Sequence, residues 1–147
     1  MIPVFEHIFL GQNLYEHIVM PVCRAHGLTY MEFTVLMFLQ NNPKYDTAAQ
    51  LVKIRRLSKS HVSVSVKGLQ EKGLVKGVYY PGNQKTLHLY LTETANPIVE
   101  AGLQAQRKFG AMLVRGFSPE ELEQLAQTRK PAWRIADQLR QDRLSLV

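Results

Sequence analysis

The chain has 147 residues, of which 46% are hydrophobic, with a formal net charge of +6 and one cysteine, Cys23. This composition indicates one globular domain (1–147) in a reducing compartment, and it excludes a disordered chain or a disulfide framework. No apolar run approaches the roughly 18 residues of a membrane span, and the N-terminus lacks the basic region and cleavage site of a signal peptide. We therefore expect a cytoplasmic protein with no membrane partner.

Two helices are predicted first. Residues 4–25 carry apolar side chains at helical spacing, and we expect Pro21 to bend this helix or end it early. Thr29 and Glu32 have the spacing of a capping box, in which the threonine caps the backbone and the glutamate reaches back to it. A second helix therefore begins here and runs to about Asn41.

The next two segments each allow two interpretations. Either Asp46 or Thr47 caps a short third helix, with Gln50 at the box position. Residues 58–72 alternate polar and apolar side chains like a strand, but a serine precedes them and a glycine follows, as at the ends of a helix. The segment is long for a strand, and the hairpin after it needs a helix to pack on. We interpret it as a helix.

The two faces of this helix differ in character. Ser58 is its predicted N-cap, and Val62, Val66 and Leu69 fall at i, i+4 and i+7, which predicts one buried stripe. The opposite face then carries small or basic side chains: Ser60, Ser63, Val64 and Lys67. Gly68 is assigned to this outer side, where it would permit close approach of the backbone.

A β-hairpin and further helices complete the chain. Segments 74–80 and 87–91 are rich in β-forming residues, and residues 81–86 are predicted as the turn between them. Asn96-Pro97 and Ser118-Pro119 each give a helix start signal, and the last helix resumes after Pro131. The order predicts a mainly α protein with a small β-hairpin, a winged helix-turn-helix over about 28–92. The flanking helices, about 4–25 and 97–143, would bury their apolar stripes in a homodimer.

The positive charge is concentrated in the middle of the chain. Residues 50–90 contain eight lysines and arginines and one acid, Glu71, a net charge of +7, so the remainder sums to −1. Such a basic region is typical of a surface that binds a polyanion. A solvated basic face, or a winged-helix interaction module whose basic face docks an acidic protein, stays open as an alternative.

The motifs in this order resemble one known family. The capped Leu28-Thr29, the frame L-S…V-x-x-x-V-x-x-L-x-x-K-G-L-V at 57–75 and the wing ending in Leu91-Thr92 are similar to the multiple-antibiotic-resistance regulator (MarR) family of bacterial transcription factors. The resemblance implies a homodimeric regulator, most often a repressor released by a small aromatic or anionic effector. It implies that the helix 58–72 enters the major groove of a pseudo-palindromic operator and that the wing tip reaches the minor groove.

The resemblance and the chemistry of the side chains together predict a DNA-binding set. It consists of Arg55, Arg56, Ser58, Lys59, Ser60, His61, Ser63, Val64, Lys67, Asn83, Gln84, Lys85 and Thr86. The sequence departs from the family at the wing, where Asn83-Gln84-Lys85 replaces the usual Asp-x-Arg, and lysine lacks the planar fork of arginine. It departs again at Val64, where many members carry a base-reading arginine and where valine can only contact a thymine methyl.

The remaining candidate sites are an effector pocket, a reactive cysteine and a metal site. The resemblance implies an effector pocket where the first two helices meet the fifth, and the aromatic and sulfur side chains there are Tyr15, Tyr30, Phe33, Met37 and Phe38. Plain core packing is the alternative for each. Cys23 is interpreted as a structural thiol. The five histidines show no metal-binding spacing, so no metal or cofactor is predicted, and no constellation of catalytic groups indicates an enzyme.

Overall fold

The computed structural model describes the backbone of residues 4–127 and the side chains of residues 6 and 10–127. The described residues belong to two compact units that divide between Phe109 and Gly110. The predicted mainly α fold with a β-hairpin is confirmed, while the predicted helix beyond residue 127 lies outside the described residues. In chain order the elements are α1 (Val4–Ala25), α2 (Tyr30–Asn41), α3 (Ala48–Arg55), α4 (Lys59–Glu71), β1 (Val75–Tyr80), β2 (Asn83–Leu91), a 3-10 turn (Glu93–Ala95) and α5 (Asn96–Leu113); residues 119–127 are also helical.

The starts of α2 and α3 are set by capping boxes. The Thr29 hydroxyl accepts a hydrogen bond from the Glu32 N–H at 3.1 Å, and the Glu32 carboxylate accepts one from the Thr29 N–H at 2.9 Å. Thr47, and not Asp46, is the N-cap of α3, with Gln50 completing the box. These side chains satisfy backbone N–H groups that the first turn of a helix leaves without partners.

Helix α1 does not end at Pro21, so that part of the prediction was wrong. It continues to Ala25 with the proline inside it, and the chain then turns at Gly27, whose φ is +64°. Val19 and Cys23, on either side of the proline, are fully buried. The packing of these side chains holds the helix together even though the proline removes one backbone hydrogen bond.

The segment with the strand-like alternation is helix α4. Ser58 caps it by accepting a hydrogen bond from the His61 N–H at 3.5 Å, and the positive φ of Gly73 (+69°) ends it. The helix packs on α2 and α3. The predicted stripe of Val62, Val66 and Leu69 is buried, at most 4% exposed. Ser65, which the sequence did not assign to that stripe, is buried beside it.

The hairpin is longer and its turn tighter than predicted. β2 begins at Asn83, so only Pro81 and Gly82 form the turn, whereas the sequence predicted a turn over 81–86. Pro81 supplies the fixed φ of the first turn position and Gly82, at φ +83°, supplies the second. The strands pair antiparallel from Val75 with Leu91 to Tyr80 with Asn83.

One hydrophobic core unites the helices and the base of the hairpin in the first unit. Its fully buried members (2% exposed or less) come from α1, α2, α3, α4, β2 and the 3-10 turn: Val19, Cys23, Phe33, Val35, Leu36, Met37, Leu51, Val62, Leu69, Leu89 and Ala95. No helix in the described part of the chain is long and apolar enough to cross a membrane. In the second unit, a helix begins after Ser118 as predicted, and Ser118 and Glu121 form a capping box in which the Ser118 N–H donates to Glu121 at 2.7 Å.

Candidate nucleic-acid interface

The outer face of α4 is exposed along its whole length. All the residues of this helix that were predicted to contact DNA after its N-cap are exposed: Lys59, Ser60, His61, Ser63, Val64 and Lys67. Val64 is 72% exposed, although Val62 and Val66, two positions away on either side, are 1% and 4% exposed. The valines of the alternating segment therefore divide between core and surface, as a helix requires and a strand does not.

Basic side chains surround the start of α4. Arg55 ends α3, Arg56 follows it, and Lys59 begins α4, all three exposed. Arg56 has the left-handed backbone conformation, φ +52°, in which its N–H donates to the Val52 carbonyl. Such a conformation is unusual for a residue with a Cβ, and helix ends of this kind usually carry glycine. Arginine at this position thus adds a cation at the entry to α4 at some cost in backbone energy.

The serine hydroxyls at the start of α4 are linked to each other. The Ser58 and Ser60 hydroxyl oxygens lie 2.8 Å apart, within hydrogen-bond distance. Ser58 also accepts from the backbone of His61. Ser58 therefore has a structural role as the helix cap, while Ser60, Ser63 and the His61 ring extend from an exposed surface.

The end of α4 is fixed by a carboxylate from α2. Glu32 is 5% exposed, and its two carboxylate oxygens accept from the Lys72 ammonium at 2.7 and 2.6 Å. Gly68 faces this carboxylate, since a Cβ added there would overlap Glu32 Oε1. The assignment of Gly68 to the DNA-facing side was therefore wrong: it is a glycine because a buried side chain of α2 occupies the space beside it.

The wing tip is held by the side chain of Asn83. Its amide oxygen accepts from the backbone N–H groups of Lys85 and Thr86, each at 3.2 Å, and its amide nitrogen donates to the Thr86 hydroxyl at 3.0 Å. Asn83 thus braces the turn at the place where the resembled family has aspartate. Gln84 and Lys85 are exposed beside it, and Thr86 is half-buried.

The base of the wing is attached to the loop before α3 by a contact that the sequence did not predict. His88 Nδ1 lies 2.9 Å from Asp46 Oδ2. Because an ionised carboxylate can only accept, the ring donates from Nδ1–H. The Asp46 carbonyl also accepts from the Leu89 N–H at 2.6 Å, and the Tyr90 hydroxyl donates to Asp46 at 3.4 Å.

Two tyrosines extend this cluster across the hairpin. The Tyr80 and Tyr90 hydroxyls form a short hydrogen bond, which is the main reason that the pKa of Tyr90 is raised, to about 12. The Tyr80 ring meets the His88 ring edge-on at 4.6 Å. Alternate residues of a strand share a face, so His88 and Tyr90 lie on one side of β2, but nothing local in the sequence indicates a partner 42 residues earlier.

Most cations of the 50–90 region are exposed. Lys53, Lys76 and Lys85 are exposed, as are the basic residues around α4. Lys72 differs from these, because it pairs with Glu32. Lys67 lies 3.9 Å from Glu71, but both side chains are at least 67% exposed, so that the pair contributes little stability.

Most of the side chains predicted for the effector pocket belong to the hydrophobic core, since Phe33, Met37 and Phe38 are members of it and Tyr15 packs against it. Phe33 and Met37 lie together in the core against α5, where a Cβ added to Gly102 would lie 2.5 Å from Met37 Sδ and 3.1 Å from Phe33 Cε2. Phe38 instead stacks on Tyr45. Tyr15 meets Phe109 edge-on, and its hydroxyl accepts from Gln106 at 3.0 Å. Tyr30 is 37% exposed.

Cys23 is free and fully buried. Burial raises the pKa of its thiol above the ordinary value, so the neutral form predominates near neutral pH. This is the environment of an unreactive structural thiol, not of a nucleophile or redox sensor. Among the described residues, no group of three or more histidine, cysteine or acidic side chains is placed to hold a metal ion.

Comparison with known proteins gives a consistent result. Residues 26–78 match the sequence model of the MarR family. A crystal structure of MarR matches with a TM-score of 0.80 at 16% identity, covering 96% of this chain and 95% of that one. A MarR transcriptional regulator from Methanosarcina mazei Go1 matches with a TM-score of 0.78 at 13% identity, covering 92% of this chain and 97% of that one.

One of the similar structures contains DNA. It is a putative MarR family transcriptional regulator from Listeria monocytogenes complexed with 26mer DNA, with a TM-score of 0.77, 17% identity, and coverage of 97% of this chain and 91% of that one. The resemblance to the MarR family is thus confirmed over residues 26–78, and the winged-helix fold is shared over nearly the whole chain.

Proposed function

Because the chain has the MarR fold and matches that family over its winged region, we propose that it is a homodimeric regulator of transcription that binds specific sequences of double-stranded DNA. The observation that carries the proposal is the outer face of α4. This face is exposed, its N-terminal half carries the short side chains of Ser60, Ser63 and Val64, and Arg55, Arg56 and Lys59 border it. A helix of this shape fits the major groove, while cations at its edges contact phosphates.

The wing supplies the second contact. Asn83 fixes the turn, so that Gln84 and Lys85 project from a braced hairpin toward the adjacent minor groove. Lysine carries a strongly hydrated point charge and no planar fork. The wing therefore contributes affinity through charge more than discrimination among base pairs, and most of the sequence preference falls to α4.

The proposed dimer explains the exposed apolar side chains of the second unit. Met112, Leu113 and Phe117 are each more than 40% exposed, and Leu122 and Leu125 are exposed on the helix at 119–127. A second copy of the chain would cover such side chains in this proposal. A two-fold dimer would place its two α4 helices on half-sites about 34 Å apart, one turn of DNA.

The proposal includes repression relieved by a small effector. The support is the character of the side chains predicted for the pocket: Phe33 and Met37 are buried in the core, Tyr15 packs against that core, and Tyr15 and Tyr30 carry polar hydroxyls. An effector that separates α1 or α5 from α2 would shift the position of α4, because α2 holds α4 through Glu32 and Lys72. Such an effector favours one of two pre-existing arrangements of the dimer.

The test is selection of bound duplexes from a random-sequence pool with the purified full-length protein at physiological salt. We expect an enriched motif made of two inverted half-sites and two chains per duplex, measured by analytical ultracentrifugation. A protein that binds no selected duplex better than random DNA would refute the proposal. That outcome would favour the alternative, a winged-helix module whose basic face docks an acidic protein.

A further inference from the structure

The outermost line of α4 consists of four side chains. Ser60, Val64, Lys67 and Glu71 follow one another at i, i+4, i+7 and i+11, opposite the buried stripe of Val62, Val66 and Leu69. The first two are short and the last two long. The N-terminal half of α4 therefore presents a low surface with one apolar side chain at its centre, while the C-terminal half projects charged groups.

Val64 has no structural reason to be a valine. Among the large hydrophobic side chains of the described residues it has the highest exposed fraction, 72%, so burial does not stabilise it. A β-branched residue is also a weaker helix former than alanine, lysine or glutamate, which usually occupy exposed helix positions. Ser60, His61 and Ser63 around it are poor helix formers too. A helix face that sacrifices local stability in this way is typical of a functional surface.

The chemistry of the side chain restricts what it can recognise. Valine has neither donor nor acceptor, so it reads no hydrogen-bonding edge of a base. The one apolar group in the major groove is the C5-methyl of thymine. The flanking serines are short enough to let the helix approach until the two sets of methyl groups touch, and Lys67 and Lys59 on the same helix reach outward to phosphates.

We infer that Val64 determines sequence specificity by contacting the C5-methyl group of one thymine in each half-site. The inference rests on the proposed DNA-binding function and makes it more specific, since it assigns the contacted base and atom. It also predicts that cytosine at that position weakens binding and that a 5-methyl group on the cytosine restores the methyl contact. The contact buries about one methyl on each partner, which corresponds to a three- to fivefold change in affinity per half-site.

The experiment removes the methyl groups from either partner. In the duplex selected from the random pool, each thymine in turn is replaced by deoxyuridine, symmetrically in both half-sites, and binding of the wild type, Val64→Ala and Ser63→Ala is measured by fluorescence anisotropy. We expect one symmetric thymine pair whose replacement weakens the wild type about tenfold or more and leaves Val64→Ala unaffected. Ser63→Ala, which removes a hydroxyl and no methyl, should keep the sensitivity to deoxyuridine at that pair.

Each other outcome has a distinct meaning. Sequence-specific binding with no sensitivity to deoxyuridine at any thymine would overturn the inference and leave the proposed function standing. Sensitivity that persists in Val64→Ala would also overturn it, because another side chain would then contact the methyl. Failure to select any sequence would remove the proposed function itself. Thermal unfolding of Val64→Ala should show undiminished stability, since alanine is the better helix former at an exposed position.

Discussion

At the scale of single residues, Glu32 takes part in three interactions: it completes the cap of α2, it pairs with Lys72, and it occupies the space beside Gly68. The sequence predicted its role in the capping box with Thr29, because that interaction is local and has a fixed spacing. Its other two contacts, with Lys72 and beside Gly68, join residues 36 to 40 positions apart and have no sequence signal. Gly68 was therefore interpreted from its helical position alone and assigned to the wrong face.

The first prediction follows from the space beside Gly68. Alanine is a better helix former than glycine by about 1 kcal/mol, so Gly68→Ala would ordinarily stabilise α4. Here its Cβ would displace the Glu32 carboxylate from Lys72 and from the Thr29 N–H, in a nearly buried position. We expect Gly68→Ala to lower the free energy of unfolding by about 2 kcal/mol, measured by urea denaturation.

A second substitution tests the cause. In a Glu32→Ala background the space beside residue 68 is open, and Gly68→Ala should then raise the free energy of unfolding by about 1 kcal/mol. The two substitutions should thus be strongly non-additive. If Gly68→Ala stabilises the wild-type protein, the Glu32 carboxylate does not restrict residue 68 as described.

At the scale of elements, the helices follow the sequence more closely than the wing does. Capping residues and apolar periodicity predicted the limits of α2 and α4 because both signals are local. The wing differed, since a Pro-Gly pair closed the hairpin in two residues. Its attachment through Asp46 and His88 depends on the tertiary fold, which brings the loop before α3 to the edge of β2.

That attachment predicts a defined effect on the wing. Asp46→Ala removes the acceptor for His88 and Tyr90 but keeps the backbone bond from Leu89 to residue 46. We expect about 1 kcal/mol lower stability, faster hydrogen exchange in β2 and weaker DNA binding with an unchanged selected motif. Asp46→Asn keeps an acceptor oxygen and should lie close to the wild type. Unchanged exchange in β2 of Asp46→Ala would contradict a structural role for the carboxylate.

At the scale of the whole molecule, the order of motifs predicted the fold and the family, while the distribution of charge predicts a surface for a polyanion. The +7 charge over residues 50–90 indicated where a polyanion would bind, and the structure places the exposed cations of that region around α4 and on the wing. The sequence could not reveal that Lys72 is committed to a buried carboxylate. The number of cations available for phosphates is accordingly lower than the count of basic residues.

The dependence of DNA affinity on salt tests whether the wing tip contacts phosphates. Each phosphate contact releases condensed counterions, which makes the slope of log K against log salt negative. Removing one contact from a bound chain makes that slope less negative by about one unit. Lys85→Ala should flatten the slope by about one unit per chain, about two for the proposed dimer, and weaken binding to all sequences alike. Lys108→Ala removes the same charge from an exposed position on α5, outside the 50–90 region, and should leave the slope unchanged. An unchanged slope for Lys85→Ala would remove the wing tip from the interface.

Arg56→Gly separates binding from stability in the same titration. Glycine adopts the left-handed conformation of residue 56 without the strain that a Cβ brings. The free energy of unfolding of the variant, measured by urea denaturation, should therefore be about 1 kcal/mol higher than that of the wild type. It also lacks the guanidinium at the entry to α4, and the salt slope should flatten by about one unit per chain. A more stable protein that binds DNA less tightly would mean that Arg56 is present for the phosphate contact, in spite of its backbone conformation. Equal slopes for Arg56→Gly and the wild type would instead place the cation outside the interface.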